Sequence, residues 1–381
     1  MSNQNERTMQ KGVTLKDIAI RCGVDVSTVS RALRGSSVHS EKTIQHIRLI
    51  AAEMGYDPTR FQAARRLVLS RFGKEVTNRL FAIFLPPYFY YSYYGVMLFQ
   101  GVLDVLTPAG FGLLTTETSQ SVVKGKLPPS FVRGDVDGAI VIEDPVLFQP
   151  ALDQLRAMPA FGDRPVLFVL RDVPGCSSVD IDAEDAAYEL AAYMLSQGHR
   201  HMLHFTRQDG KLLGSHQDFF VGGYQRACRD YGLDPDVHLH SFPLSTSFLN
   251  QLFMVKQFQH LGELLQKKWP PYHPLVRELR DHPEITAILA PNDLTAIVVR
   301  NILNCGGIRI PEDISLTGFD DIDFMTGTFE PNSLTTMHLP LRKMGRMAAK
   351  LLIDLVNEQH DEPQRVLVET SLVVRDTTRS V

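Results

Sequence analysis

The residues best suited to specific chemistry lie close together near the start of the sequence: Val26, Ser27, Thr28, Ser30, Arg31 and Arg34. The guanidinium of Arg31 presents paired N–H donors that can fork onto the O6 and N7 acceptors of a guanine. The Ser27 hydroxyl can donate or accept at a base edge, and Val26 offers only apolar contact, for instance to a thymine methyl. Thr28, Ser30 and Arg34, with Thr14 upstream, are better placed for phosphate oxygens, which fix orientation without reading sequence. Side chains can do this together only if one element presents them on one face.

The stretch 13–55 supplies that element and its supports. Thr14 can cap a first helix, with Asp17 three residues on as the carboxylate partner of a capping box. Leu15, Ile18 and Ala19 fall on one face at helical spacing. Cys22-Gly23-Val24 makes a turn, and Asp25 stands where it can accept from the first amides of a second helix, Val26 to Leu33. That helix carries short polar residues on one side and Val29, Ala32 and Leu33 on the other. A third helix is capped by Ser40, runs Ile44, Ile47, Ala51 and Met54 down one face, and ends at Gly55. Two helices joined by a short Gly-containing turn, the second with a polar outer face, form the helix-turn-helix pattern.

Charge agrees with this. Residues 1–74 hold 13 Lys and Arg against 6 Asp and Glu, a balance of +7, while the remainder holds 26 against 37, or −11. A basic head on an acidic body is the electrostatic footprint of a polyanion partner. At 381 residues there is room for two or three domains, and 44% apolar with 22% charged residues is ordinary for a soluble globular protein. The sequence contains no run of eighteen apolar residues and no apolar segment in its polar N-terminus, so neither a membrane span nor a secretory signal is expected. Cys22, Cys176, Cys228 and Cys305 form no CxxC pair, which suits reduced thiols in a cytoplasm.

From Asn78 onward apolar runs alternate with helical segments. Candidate strands are 80–85, 112–116, 138–142, 165–170, 201–205, 285–290, 314–318 and 366–374, with helices at 95–106, 183–197, 222–231, 294–304 and 341–356. Strands apolar on both faces, alternating with helices, predict parallel sheets covered on each side. Other constellations are poor in chemistry. His199, His201 and His204 suggest a metal cluster, yet on a strand His201 and His204 point to opposite faces, so surface or core roles are expected. Gly214-Ser215-His216 lacks the GxSxG elbow, and no glycine cluster forms a phosphate loop.

The ordered set Val13-Thr14-Leu15-Lys16-Asp17-Ile18-Ala19, Gly23-Val24, Ser27-Thr28-Val29-Ser30-Arg31-Ala32-Leu33 and Gly55-Tyr56-Asp57-Pro58 resembles the DNA-binding domain of the lactose/galactose repressor (LacI/GalR) family. Landmarks in the body extend the resemblance over nearly the whole chain. They include Gly198-His199-Arg200-His201, Gly223-Tyr224, Pro291-Asn292-Asp293, Gly318-Phe319-Asp320-Asp321 and Val373-Val374-Arg375-Asp376-Thr377. The resemblance implies a helix-turn-helix domain at 12–58, a hinge helix and linker at 59–77, and a two-lobed, periplasmic-binding-protein-like effector and dimerisation domain at 78–381. It implies lobes of roughly 78–199 plus 340–362 and 200–337 plus 366–381, and it makes the stretch 242–280 an insertion. In Ala64-Arg65-Arg66-Leu67, Leu67 matches a leucine that wedges into the minor groove, though two residues further from the proline than is usual. For the effector, Asp293 matches a carboxylate that binds hydroxyls or amines, with Asn292 supporting it and Asp182 as a further polar residue. Tyr93 and Tyr94 match aromatics that stack on the ligand. Phe220 stands where many members carry a clamping arginine.

These readings converge on a transcriptional regulator, expected to be a repressor, binding a near-palindromic double-stranded DNA operator as a homodimer or higher assembly. A small-molecule effector, a sugar or related metabolite, is expected between the lobes, with no cofactor, no metal and no membrane partner. The competing reading, a sugar-binding protein for transport or chemosensing without a DNA role, leaves the basic head unexplained. No catalytic set converges, so no enzyme is expected.

Overall fold

The computed structural model describes residues 13–33, 40–56, 77–86, 89, 93–118, 122, 124, 126–143, 145–159, 161–207, 217–244, 269–271, 273–322, 333–357 and 362–381. By its contacts the chain divides into two units, residues 1–77 and 78–381.

In the first unit the described elements are α1 (Leu15–Cys22), α2 (Val26–Leu33) and α3 (Glu41–Glu53). The expected capping box is formed: Thr14 N–H donates to Asp17 Oδ2 at 2.7 Å, and Asp17 N–H donates to Thr14 Oγ1 at 3.3 Å. Gly23 ends α1 with φ +65°, a left-handed conformation that only glycine adopts without strain. Ser40 Oγ accepts from Thr43 N–H and starts α3. Ile18, Val29, Ala32 and Ile47 are fully buried among the three helices. So small a core holds only if α2 keeps its apolar face inward, which turns its polar face out.

The second unit contains two six-stranded sheets. Its elements, in chain order, are β1 (Leu80–Leu85), α4 (Tyr93–Leu106), β2 (Gly112–Glu117), α5 (Pro129–Val132), β3 (Gly138–Val141), α6 (Pro145–Ala157), β4 (Val166–Val169) and β5 (Ser177–Asp180). Next come α7 (Ala183–Ser196), β6 (His201–Arg207), α8 (Gln217–Asp230), α9 (Pro235–His238), β7 (Leu239–Leu244), α10 (Pro274–Asp281), β8 (Ile285–Leu289) and α11 (Asp293–Cys305). Last are β9 (Ser315–Asp320), β10 (Thr335–His338), α12 (Leu341–Asn357), β11 (Arg365–Leu367) and β12 (Ser371–Val373). Sheet A has the order β11-β5-β4-β3-β1-β2 and sheet B the order β12-β10-β9-β8-β6-β7. Pairing is parallel throughout except between β10 and β12. Each strand interior feeds two cores, as in β1: Phe81, Ile83 and Leu85 face α4 and α12, while Ala82 and Phe84 face α5 and α6. In sheet B, α7 and α8 cover one face and α10 and α11 the other.

The lobe boundaries differ from those implied by resemblance. Helix α7, expected in the first lobe, packs on α8 beside sheet B, because its apolar face (Ala187, Leu190, Ala191) meets Tyr224 and Ala227. The chain therefore crosses immediately after β5, not near residue 199. The expected strand 366–374 is two strands: β11 closes the edge of sheet A and β12 that of sheet B, with a crossing between them. Strands β5, β7 and β10 were not expected from their composition.

Helices α4 and α12 touch backbone to backbone. A Cβ on Gly101 would lie 2.1 Å from Arg342 O, and one on Gly345 would lie 2.2 Å from Leu98 O. Gly345→Ala should therefore force the helices apart and cost about 1–3 kcal/mol, more than the gain of up to ~1 kcal/mol from alanine's better helix propensity. A lower thermal midpoint for the variant is the expected result, and an unchanged one would mean that the helices can separate freely.

Candidate nucleic-acid interface and effector site

On α2, the burial of Val29 and Ala32 fixes the helix rotation, and Val26 (41% exposed), Ser27 and Arg31 face solvent. Thr28 and Ser30 are half-buried at the edges of that face. Thr14 is half-buried, and its hydroxyl donates to Asp17 Oδ2 at 2.6 Å as part of the cap. Arg34 and Leu67 lie outside the described residues, as does the hinge segment. The arrangement gives one exposed strip of Val26, Ser27 and Arg31, flanked by the half-buried hydroxyls of Thr28 and Ser30.

The residues matched to an effector site gather near the carboxyl ends of the strands, where ligands of open α/β sheets bind. Asn292 caps α11, its Oδ1 accepting from Thr295 N–H at 2.8 Å. Asp293, the first residue of α11, is only 1% exposed. Its Oδ1 accepts from the Thr336 hydroxyl at 2.5 Å and its Oδ2 from Ile322 N–H at 2.8 Å. Burial pushes this carboxyl up to about 6, against the opposing pull of the Thr336 and Ile322 hydrogen bonds. Gly318 permits the contact, since a Cβ there would stand 2.2 Å from Asp293 Oδ1. Asp293 thus ties α11 to β9, β10 and the turn that follows β9.

Where β9 runs into that turn, two non-glycine residues in succession have positive φ, Asp320 (+120°) and Asp321 (+58°). Such conformations cost on the order of 1–3 kcal/mol each and persist only when over-determined. Here the fixing contacts are Arg375 to Asp321 at 2.7 Å, His338 to Asp321 at 2.9 Å, and the Ile322 amide on Asp293. Thr336, Asp321, Arg375 and Gly318 are the residues that sequence reasoning did not assign to this site. The Gly-Phe-Asp-Asp motif was the available signal for the turn; nothing local marks Thr336.

Phe220 is buried and packs against Phe319 of β9, with ring centroids 4.5 Å apart and 35° between planes. Phe319 and Gly318 alternate along β9, so Phe220 and Asp293 lie on opposite faces of sheet B near the same strand end. Asp182 is exposed and caps α7, accepting from Asp185 N–H at 2.9 Å, at the crossing between the sheets. Tyr94 is partly buried, its ring edge-on to Phe89 at 5.6 Å. For Tyr93 only the backbone is described, as the first residue of α4.

The histidines have other work. His199 is fully buried, with Nε2 3.0 Å from the Arg379 carbonyl and Nδ1 2.8 Å from the Thr286 hydroxyl. A carbonyl only accepts, so the proton sits on Nε2 and Thr286 donates to Nδ1. Burial pushes His204 down to about 4, beside Tyr224. Among the described residues no three His, Cys, Asp or Glu side chains are grouped to hold a metal ion, and no helix is long and apolar enough to cross a membrane.

A three-helix head with an exposed polar recognition face, in one chain with two parallel sheets crossed three times, defines the class of DNA-binding regulators with a periplasmic-binding-protein-like body. The profile of bacterial regulatory proteins of the lacI family matches residues 14–59, and that of the periplasmic binding protein-like domain matches residues 191–378. The HTH-type transcriptional regulator CelR of Thermobifida fusca is 27% identical over 372 residues, covering 96% of this chain and 98% of that protein. A transcriptional regulator CelR–cellobiose complex has a similar fold, with TM-score 0.55, 22% identity, and coverage of 96% and 99%. So does the lac repressor dimer bound to operator and an anti-inducer, with TM-score 0.60, 22% identity, and coverage of 97% and 100%. The chain belongs to the lacI family of bacterial regulatory proteins. It is a DNA-binding transcription regulator, not an enzyme.

Proposed function

We propose that this regulator is a cytoplasmic repressor that binds a near-palindromic operator as a homodimer and releases or tightens on it when a sugar binds between the two lobes. The observation that carries the proposal is the exposed Val26–Ser27–Arg31 strip on α2, rigidly aimed by the burial of Val29 and Ala32. In this reading Arg31 and Ser27 bond base edges, Val26 packs on a thymine methyl, and Thr14, Thr28, Ser30 and Arg34 hold phosphates. Leu67 is the minor-groove wedge. The domain division follows the same reading: head at 12–58, hinge and linker at 59–77, effector and dimerisation body at 78–381.

Support for a sugar comes from the chemistry near the strand ends. The half-buried aromatic pair Phe89 and Tyr94 stands there beyond β1, and flat apolar faces suit the C–H faces of a sugar ring. With Phe220 in place of a guanidinium, a neutral ligand fits better than an anionic one. Tyr93, Asp182 and Asn292 complete the polar and aromatic lining, and Asp293 holds the turn beneath it. The relative solved with cellobiose makes that disaccharide the first sugar to try.

One head is too small to bury the surface of a tight specific complex, so two half-sites and a dimer are required. The full chain should sediment as a dimer or larger assembly at micromolar concentration; a monomer that still binds its operator tightly would refute this. The effector reading is tested by thermal shift against neutral sugars and their phosphorylated or acidic counterparts. Stabilisation by a neutral sugar is expected, and stabilisation by anionic ligands alone would contradict it.

A further inference from the structure

Four histidines from separate elements meet at one edge of sheet B. His201 opens β6, His238 closes α9, His240 lies in the edge strand β7, and His282 follows α10. The register pairs Met202 with Leu239 and Leu203 with His240, which sets His201 beside His238 and gives all three histidines the same face. The rings of His201 and His238 stack at 4.6 Å with 12° between planes. His201 Nδ1 lies 3.1 Å from His240 Nε2, and the His240 ring lies 5.8 Å from that of His282. The Nδ1 of His238 is buried without a hydrogen-bond partner.

This geometry tolerates few protons. In the His201–His240 bond one nitrogen must accept, so protonating both rings replaces a hydrogen bond with two donors facing each other. Stacked cations at 4.6 Å repel as well. The charged groups around the cluster neutralise it only in part. Arg200, preceding β6, adds positive charge near His238, and Asp234, which caps α9, opposes it. Glu284 bonds His282 at 3.0 Å and Glu278 stands 3.9 Å from it, with Asp281 nearby; Glu284 and Glu278 also favour a proton on His240, a pull that burial and His201 outweigh.

We propose that this histidine cluster is a proton-operated clasp: neutral, it holds β7 and α9 against β6, and protonation of its rings on mild acidification loosens that edge of the lobe. The titration behaviour supports the direction. Burial, and then the charge of His201, lowers the pKa of both His238 and His240. A base with a depressed folded pKa contributes stability that is complete above its unfolded value, near 6.5, and is lost as pH falls below it. His282 has the opposite sign, its pKa raised by the bond to Glu284, but its exposure leaves that effect screened. The clasp sits at the amino ends of the strands, the opposite end of sheet B from Asp293, so it does not depend on the effector reading.

The test is hydrogen exchange of the full chain at pH 7.5 and 5.5, corrected for the pH dependence of intrinsic exchange. Residues 235–244 should exchange about tenfold faster at pH 5.5 for each imidazole kept neutral by folding, while β9, in the centre of sheet B, keeps its protection. His240→Gln retains a hydrogen-bonding group without the charge and should flatten the response of residues 235–244. Unchanged protection of 235–244 in the natural chain, equal loss in β9, or an undiminished response in the variant would each overturn the clasp. The natural chain alone gives the first two outcomes, so the test stands even where the variant folds poorly.

Discussion

Replacing Arg31 by alanine should weaken binding to the preferred operator by about 5- to 150-fold, or roughly 1–3 kcal/mol, and relax discrimination at one base pair of each half-site. Arg31 stands fully on the exposed face of α2, and Val29 and Ala32 hold that face outward. A bidentate guanidinium contact reads one base pair, and its loss is felt only where that base pair is present. Non-specific binding rests on the other cations of the +7 segment and should change much less. Titrations on the preferred duplex and on its single-base variants make the distinction. Equal losses on every duplex would make Arg31 a phosphate contact.

Replacing Asp293 by alanine should have the largest effect in the body. It strands the Thr336 hydroxyl and the Ile322 N–H, both buried, at about 1–3 kcal/mol each, and it removes the tie that fixes the Asp320–Asp321 turn. A lower thermal midpoint is expected, together with loss of the sugar response at temperatures where the variant is folded and still binds operator without ligand. Asp293→Asn keeps the size and one acceptor, so it should retain more stability. The pH dependence has a definite sign. The folded carboxyl is raised to about 6 by burial, above its ordinary value, so its contribution is fullest below about pH 4 and is lost as pH rises towards 6. The natural chain's margin over Asp293→Asn should accordingly be smaller at pH 7.5 than at pH 4.5. A response to sugar that survives in Asp293→Ala with unchanged sugar affinity would remove Asp293 from the effector site.

The head was legible because its determinants are local. A capping box spans four residues, a helical stripe repeats every three or four, and a left-handed glycine marks its own turn. The apolar strands of the two sheets were legible for the same reason. Strand β5 (Ser177-Ser178-Val179-Asp180) and β10 (Thr335-Thr336-Met337-His338) were not, since hydroxyl-rich segments become strands only because neighbours in the sheet pair with them. Strand β7 contains Pro243, which a sequence reading rejects but an edge position tolerates. The seam within 366–374 was hidden because both halves look extended and only tertiary packing sends them to different sheets. Asp293 was found from its motif, but not its burial, because Thr336 and Ile322 reach it through pairings distant in sequence. The histidine cluster needs the β6–β7 register and was invisible for that reason.

Sequence-specific operator binding is tested by a competition titration of the full chain at about 150 mM salt, between a duplex selected from a random pool and a scrambled duplex of the same composition. Specific regulators exceed their non-specific affinity by typically 10³-fold or more, and a ratio of about that size, carried by two inverted half-sites, is expected. Adding the stabilising sugar should change the specific affinity at least about fivefold. A ratio near one, with no shared half-site among the retained duplexes, would rule out sequence-specific operator binding by the head.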